Sequence, residues 1–211
     1  AYDCRRRYFT DRQLDSVMNY PWQKAILRYV RGEDDGTGLG ASIRTIAENY
    51  PPDVLQAVMN ILSTHDTPRA ITTLAGESME GKDRTWQANH HYLPMDAYRH
   101  GQVLLKMASV LQYFLPGIPS IYYGSEFGIE GRKEGGNDEP LRPAIDIGEA
   151  LVENADSKIL EWVRTLGRIH QEQDACAYGR YQELFLTNRQ YAFARILGDG
   201  GIVVAVNNDE Q

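Results

Sequence analysis

Apolar positions recur along this chain with two different rhythms, and the change between them divides it. From residue 14 to about residue 175, short apolar runs alternate with stretches whose apolar residues return every three or four positions, the spacings of strand and helix. Leu14, Val17 and Met18 predict a short buried strand closed by Asn19-Tyr20-Pro21, and Trp22, Ala25, Ile26, Tyr29 and Val30 predict a helix that stops at Arg31-Gly32. Glu33 to Gly40 reads as a solvated connector. Ile43, Ile46, Ala47 and Tyr50 give a second helix ended by Pro51-Pro52, and Asp53 is the expected cap of a third helix carrying Val54, Leu55, Val58 and Met59. Residues 61–64 form the next expected strand. Thr67-Pro68 then starts a short helix through Ile71 and Leu74, because proline tolerates the first helical turn, and a polar loop runs from Gly76 to about Pro94.

Residues 95–115 predict a long helix with Val103, Leu104, Met107, Leu111 and Phe114 on its apolar face. Pro116-Gly117 breaks it, after which Ile118, Ile121 and Tyr122 predict a strand too apolar to be solvent-exposed. A loop rich in glycine and charge runs from Gly124 to about Gly148. Asn154 is the expected cap of a helix presenting Ile159, Leu160, Trp162, Val163, Leu166 and Ile169. Strands then follow strands at 181–186, 191–197 and 202–206, the last two joined by a Gly198-Asp-Gly-Gly201 turn. Alternation implies parallel βα units and succession implies a separate antiparallel module, so the expected division is 1–175 and 176–211.

Composition narrows the function. With 211 residues, 42% of them hydrophobic, the chain can bury a sizeable core in one or two domains. A net charge of -7 argues against a nucleic-acid partner, and the one basic cluster, Arg5-Arg-Arg7, reads as a solvated turn before Tyr8-Phe9. Cys4 and Cys176 stand at opposite ends, which makes no disulfide framework and favours a reduced compartment. No run reaches the about 18 apolar residues of a membrane span, so no membrane partner is expected. The chain opens Ala-Tyr-Asp without an initiator Met, so the true N-terminus is expected elsewhere and localisation is not read. Glu33-Asp-Asp-Gly-Thr-Gly-Leu-Gly40 superficially resembles a phosphate-binding loop, but it follows a helix and carries acids that repel phosphate. Adjacent His90-His91 cannot both face one metal from a regular helix; neither a metal nor a cofactor is expected.

The stretch that carries chemistry is Asn60-Ile-Leu-Ser-Thr-His-Asp-Thr-Pro-Arg69. It delivers His65 and Asp66 to the C-terminal end of a strand, where ligands bind in parallel α/β proteins. The alternative is that Asp66 or Thr67 merely caps the next helix. A second stretch, Gly117-Ile-Pro-Ser-Ile-Tyr-Tyr-Gly-Ser-Glu126, bears on that choice. Together the two resemble late sequence regions of the α-amylase family of glycoside hydrolases. That family ends its seventh barrel strand like N-x-L-x-x-H-D-T-x-R and its eighth like G-x-P-x-x-Y-Y-G-x-E. Leu14-Asp-Ser-Val-Met-Asn-Tyr-Pro21 resembles its sixth strand in the branch of neopullulanases, cyclomaltodextrinases, maltogenic amylases and some pullulanases. The resemblance implies an α/β chain comprising strands six to eight of a (β/α)8 TIM barrel, followed by the start of an antiparallel C-terminal β-sandwich.

What the resemblance implies about function is a portion of a retaining α-glucan hydrolase acting on α-1,4 or α-1,6 bonds of oligo- or polysaccharides. Asp66 would be the third, transition-state-stabilising carboxylate of that family and His65 would bind the same sugar. Asp138 and Arg142, in and after Gly135-Gly-Asn-Asp138, resemble a segment that contacts substrate, with a solvated charged loop as the alternative. The segment departs from the pattern in two places: the step from Asp138 to Arg142-Pro is one residue shorter, and Ser125 stands where an Asp is common. Glu126 is read as structural, and Tyr122 and Tyr123 as packing rather than sugar platforms. Motifs for nucleophile and acid/base are absent, so the chain alone is expected to be inactive. The competing reading is a non-catalytic α-amylase-like binding or partner subunit; a Glu at the end of the preceding strand, upstream of Ala1, would discriminate. An incomplete barrel exposes strand edges, so the expected partner is the remainder of the barrel or a second copy, with Trp22, Ile26, Trp162 and Leu166 partly uncovered.

Overall fold

The computed structural model describes residues 8–9, 13–134, 137–153 and 158–209. Cys4, Arg5-Arg-Arg7, Gly135-Gly136 and the expected cap Asn154 lie outside the described residues. The chain forms two compact units, one of residues 1–61, 110–120 and 166–211, the other of residues 62–109 and 121–165.

In the first unit, α1 (Tyr20–Val30) starts where the Asn19 side chain accepts from the Trp22 amide, and it buries Trp22, Ile26, Tyr29 and Val30. α2 (Gly36–Asn49) is capped by Asp35, whose carboxylate accepts from the Gly38 amide at 2.9 Å. This corrects the expected connector over residues 33–40: Leu39 is 1% exposed and Gly36 and Gly40 are buried. A Cβ on Gly36 would lie 2.1 Å from the Thr187 carbonyl oxygen, so these glycines permit close packing rather than flexibility.

α3 (Pro52–Ala57) begins two residues earlier than expected, with Pro51 rather than Asp53 in the cap position, and ends before Val58. Backbone pairing explains the early end. The Met59 amide donates to Val17, the Asn19 amide to Met59, the Ile118 amide to Val58 and the Ser120 amide to Asn60, all at 2.8–3.0 Å. The result is β1 (Met59–Asn60) parallel to β2 (Ile118–Pro119), with Met18 bridged to Met59 on the other side. The expected strand over 61–64 is thus shifted toward the N-terminus; Ile61 is buried beyond the paired residues. Gln112 donates to the Asn60 and Ser120 carbonyls at 3.0 Å, tying both strands together. β2 is not a fully buried strand. Ile118 is 54% exposed, because among the described residues only β1 pairs with it.

The unit ends in α9 (Asp174–Tyr178) and a three-stranded antiparallel sheet of β3 (Arg180–Leu186), β4 (Gln190–Leu197) and β5 (Gly200–Asn207), in that order. The predicted glycine turn joins β4 to β5, with Gly198 at φ +58°. Tyr191 and Phe193 fill its inner face. Arg195, fully buried, donates to the carbonyls of Gly179 and Phe114 and to Gln56; burial lowers its pKa to about 10.

The second unit holds α4 (Ala70–Ala75), α5 (Arg84–Ala88), the first fifteen residues of α6 (Met95–Phe114), α7 (Ile147–Glu153) and the start of α8 (Ile159–Glu172). α5 was hidden in the expected polar loop; Asp83 caps it by accepting from the Trp86 amide at 2.8 Å. Its core gathers Ile71, Leu74, Leu104, Leu105, Ala108, Phe127, Leu141 and Ile159. Tyr123 and Ile121 are exposed, against the expected burial of the apolar run after Pro119. The expected uncovered apolar surface is corrected at Trp22, Ile26 and Leu166, which are buried; Trp162 is partly uncovered as expected, and its indole donates to the Lys106 carbonyl. Among the described residues no helix is long and apolar enough to cross a membrane.

Candidate active site

Leu62, Ser63 and Thr64 are buried; the next two residues, His65 and Asp66, are exposed. The reversal is built locally. The Thr64 amide donates to Thr67 Oγ1 at 2.8 Å, folding the chain into a turn, and Thr64 Oγ1 donates to Asp66 Oδ1 at 2.5 Å, fixing the carboxylate. That hydrogen bond is the largest cause holding the Asp66 carboxyl below its ordinary pKa; partial desolvation opposes it, and the nearby charges of His65 and Lys133 add to it. Asp66 is therefore an anion presented to solvent. It caps no helix: α4 begins at Ala70, after a flanking Arg69 that makes no side-chain cap.

Arg142 joins the pair. Its Nε donates to the His65 carbonyl at 2.9 Å, and its guanidinium lies 3.8 Å from Asp138. So the structure brings His65, Asp66, Arg142 and Asp138 into one neighbourhood across 77 residues of sequence. Asp138 also faces Lys133 at 3.5 Å and Arg84 at 3.9 Å. These separations are too long or misaligned for hydrogen bonds, and Asp138 Oδ1, though buried, accepts none. Lys133 and Arg84 escaped the sequence reading. Lys133 could have been found as a basic residue five positions before Asp138; Arg84 is brought by α5, which the sequence did not reveal.

Beneath the turn, Arg69 is fully buried. It donates to the Tyr123 carbonyl and stacks 4.4 Å from the Tyr122 ring centre and 5.0 Å from that of Tyr123. The two hydroxyls donate to the Leu141 and Pro143 carbonyls at 3.3 and 3.0 Å, which ties the strand end to the segment carrying Arg142. Glu126 contributes to the field on Arg69, and its Oε2 is buried without a hydrogen bond. Ser63 and Ser125 hydroxyls meet at 3.5 Å. His90 stacks on Trp86, while His91 accepts from the Arg132 amide, so the two rings serve different neighbours. Among the described residues no group of three or more His, Cys, Asp or Glu side chains could hold a metal.

Comparison with known proteins identifies the family of the chain. The description "Alpha amylase, catalytic domain" matches residues 2–174. The chain is 28% identical over 199 residues to the amylopullulanase of Thermoanaerobacterium thermosulfurigenes, covering 89% of this chain and 10% of that protein. It is 27% identical over 203 residues to a Bacillus cyclomaltodextrinase, covering 94% of this chain and 30% of the relative. Thus it spans less than a third of either relative. Among solved structures, a cyclomaltodextrinase superposes with TM-score 0.70 at 27% identity, over 94% of this chain and 29% of that one. The cyclic α-maltosyl-(1→6)-maltose hydrolase of Arthrobacter globiformis gives 0.72 at 23% identity, over 95% and 39%. The fold is accordingly that of part of a (β/α)8 barrel with antiparallel strands after it, and the chain belongs to the α-amylase catalytic-domain family.

Proposed function

We propose that this chain is part of a retaining α-glucan hydrolase that cuts α-1,4 or α-1,6 glucosidic bonds. Residues 1–175 supply part of its catalytic barrel and 176–211 the start of its β-sandwich. Asp66 grips sugar hydroxyls more tightly as oxocarbenium charge develops, His65 binds the same ring, and Asp138 and Arg142 contact a neighbouring sugar. The observation that carries the reading is the exposed, ionised Asp66 beside exposed His65, with Arg142 fastened to the His65 carbonyl. The names of the relatives, amylopullulanase and cyclomaltodextrinase, support the substrate class. Nucleophile and acid/base are supplied from outside these residues.

The test is Asp66→Asn in the protein that contains this chain. An interaction made mainly in the transition state predicts kcat reduced by roughly 10²-fold or more with KM little changed. A kcat within a few-fold and a steep rise in KM would make Asp66 a binding residue only. The 211-residue chain by itself should release no reducing ends from maltooligosaccharides, pullulan or cyclodextrins.

A further inference from the structure

Arg69 is fully buried, yet its immediate contacts do not account for a charge there. One N–H reaches the Tyr123 carbonyl, while Nε and Nη2 are buried without an acceptor. Glu126, whose charge is felt at Arg69, keeps its own Oε2 buried without a donor. Burial is the largest cause pressing the Arg69 pKa down, with Tyr122, Tyr123 and Glu126 opposing it. An apolar side chain of similar length would fill the same space without the desolvation cost. The side chain is not what anchors the local backbone either. The Arg69 amide donates to the Gly131 carbonyl at 3.0 Å, and the Arg69 carbonyl accepts from the Thr73 amide at 2.9 Å. A cation kept where packing favours an apolar residue marks a place where function decides the residue.

What the guanidinium holds is a closed ring of contacts inside the second unit. It lies over the Tyr122 and Tyr123 rings, at 4.4 and 5.0 Å from their centres, and donates to the Tyr123 carbonyl. The hydroxyls of those two tyrosines donate to the carbonyls of Leu141 and Pro143, the residues on either side of Arg142. Arg142 Nε in turn donates to the His65 carbonyl, and the short turn from His65 back to Arg69 closes the circuit. Both chain neighbours of Arg142 are therefore pinned by hydroxyls whose rings Arg69 orients. Without the cation on their faces, the hydroxyl positions rest on the two carbonyls alone.

We propose that Arg69 is a positioning residue: fully buried, it touches no substrate, and through Tyr122 and Tyr123 it sets where Arg142 stands against His65 and Asp66. Its effect on turnover rests on the hydrolase reading above; its effect on local motion does not. Loss of Arg69 loosens Arg142 and the His65-Asp66 turn together. Loss of Arg142 leaves the tyrosines held.

The test compares Arg69→Met, Arg69→Lys, Arg142→Ala and the Arg69→Met/Arg142→Ala pair in the hydrolase proposed above. Arg69→Met should melt within a few degrees of the parent yet lower kcat roughly tenfold or more, since displacing a reacting geometry by about 1 Å can cost 10²-fold. It should also raise KM as Arg142→Ala does, and adding Arg142→Ala should raise KM less than about twofold further, because both changes break one ring. Arg69→Lys keeps a cation on the rings and should recover part of kcat. Hydrogen–deuterium exchange separates positioning from general weakening. Peptides carrying the Thr64, Leu141 and Arg142 amides, bonded to Thr67 Oγ1 and to the Asp138 and Glu139 carbonyls, should exchange faster in Arg69→Met while β3 to β5 stay protected. Exchange raised throughout the chain, exchange unchanged at those amides, independent KM effects of the two substitutions, or Arg69→Lys no better than Arg69→Met would each overturn the proposal. Exchange is read without turnover. A local rise in exchange beside an Asp66→Asn enzyme of unimpaired kcat thus removes the hydrolase reading and leaves the ring, and unchanged exchange removes the ring whatever Asp66→Asn does.

Discussion

The antiparallel sheet and the Asp66 neighbourhood are held together in opposite ways. Between β4 and β5 every residue from Gln190 to Leu197 has a ladder partner, and β3 joins with a single irregularity between Glu183 and Phe185. Restraint there is shared over many equivalent backbone bonds. Around Asp66 the segments are fastened by individual side chains on individual carbonyls: Arg142 on His65, Arg69 on Tyr123, Tyr123 on Pro143, Tyr122 on Leu141. A shared restraint fails through loss of the core behind it. A single fastener fails alone, moving a functional group while the fold persists.

The largest expected effect is therefore in the sheet. Phe193 is fully buried at the centre of β4, and Phe193→Ala should cost about 3–5 kcal/mol, read as a lowered denaturant midpoint by far-ultraviolet circular dichroism. Next comes association. Ile118 on β2 and Val203 on β5, 54% and 70% exposed, lie on strands with an edge unpaired among the described residues, so we propose that the isolated chain self-associates. Light scattering showing a monodisperse monomer at micromolar concentration would refute this.

A smaller effect tests the turn. Thr64→Val removes the largest cause of the low Asp66 pKa, so the carboxyl should titrate at higher pH. The sign follows from linkage. A depressed carboxylate adds stability above its unfolded pKa and loses it as pH falls through the folded value, so the variant, its folded pKa raised toward the unfolded one, should lose a smaller contribution and complete that loss at higher pH. The stability change is small because Asp66 is exposed, and carbon-13 titration of its carboxyl is the direct check. An unmoved titration would show that the Thr64 contact is not what holds the charge. Smallest in stability is Arg142→Ala, expected within about 0.5 kcal/mol by thermal melt yet raising KM several-fold in the hydrolase proposed above. A large melting shift with unchanged KM would make Arg142 a structural fastener only.

What the sequence revealed follows the same contrast. The hairpin from β4 to β5 was legible because its glycine turn and alternating residues are local signals. The His65-Asp66 pair stood out because a buried run ends abruptly in two polar residues. Helix endings were less legible. Val58 and Met59 continue an apolar helical pattern, and only pairing with Val17 and Ile118, distant in sequence, pulls them into extended backbone. Arg84 was invisible as a site residue because its approach to Asp138 depends on where α5 folds, whereas Lys133, five positions before Asp138, left only a local hint.

Glycine-rich stretches that look interchangeable as text differ sharply in what they could accommodate. Gly36 has no room for even one methyl group against the Thr187 carbonyl, whereas Gly81 and Gly198 have nothing within 4 Å of where such a group would sit. Both of the latter have positive φ, so what they accept is added chain length and not a bulkier residue at the same position. For anyone labelling or splicing this protein, the β4–β5 hairpin tip and the loop at Gly81 are the places to introduce a fluorophore tag or an affinity peptide. The segment around Gly36, though it reads like a linker, is a closed joint where an inserted residue would wedge apart α2 and the turn between β3 and β4.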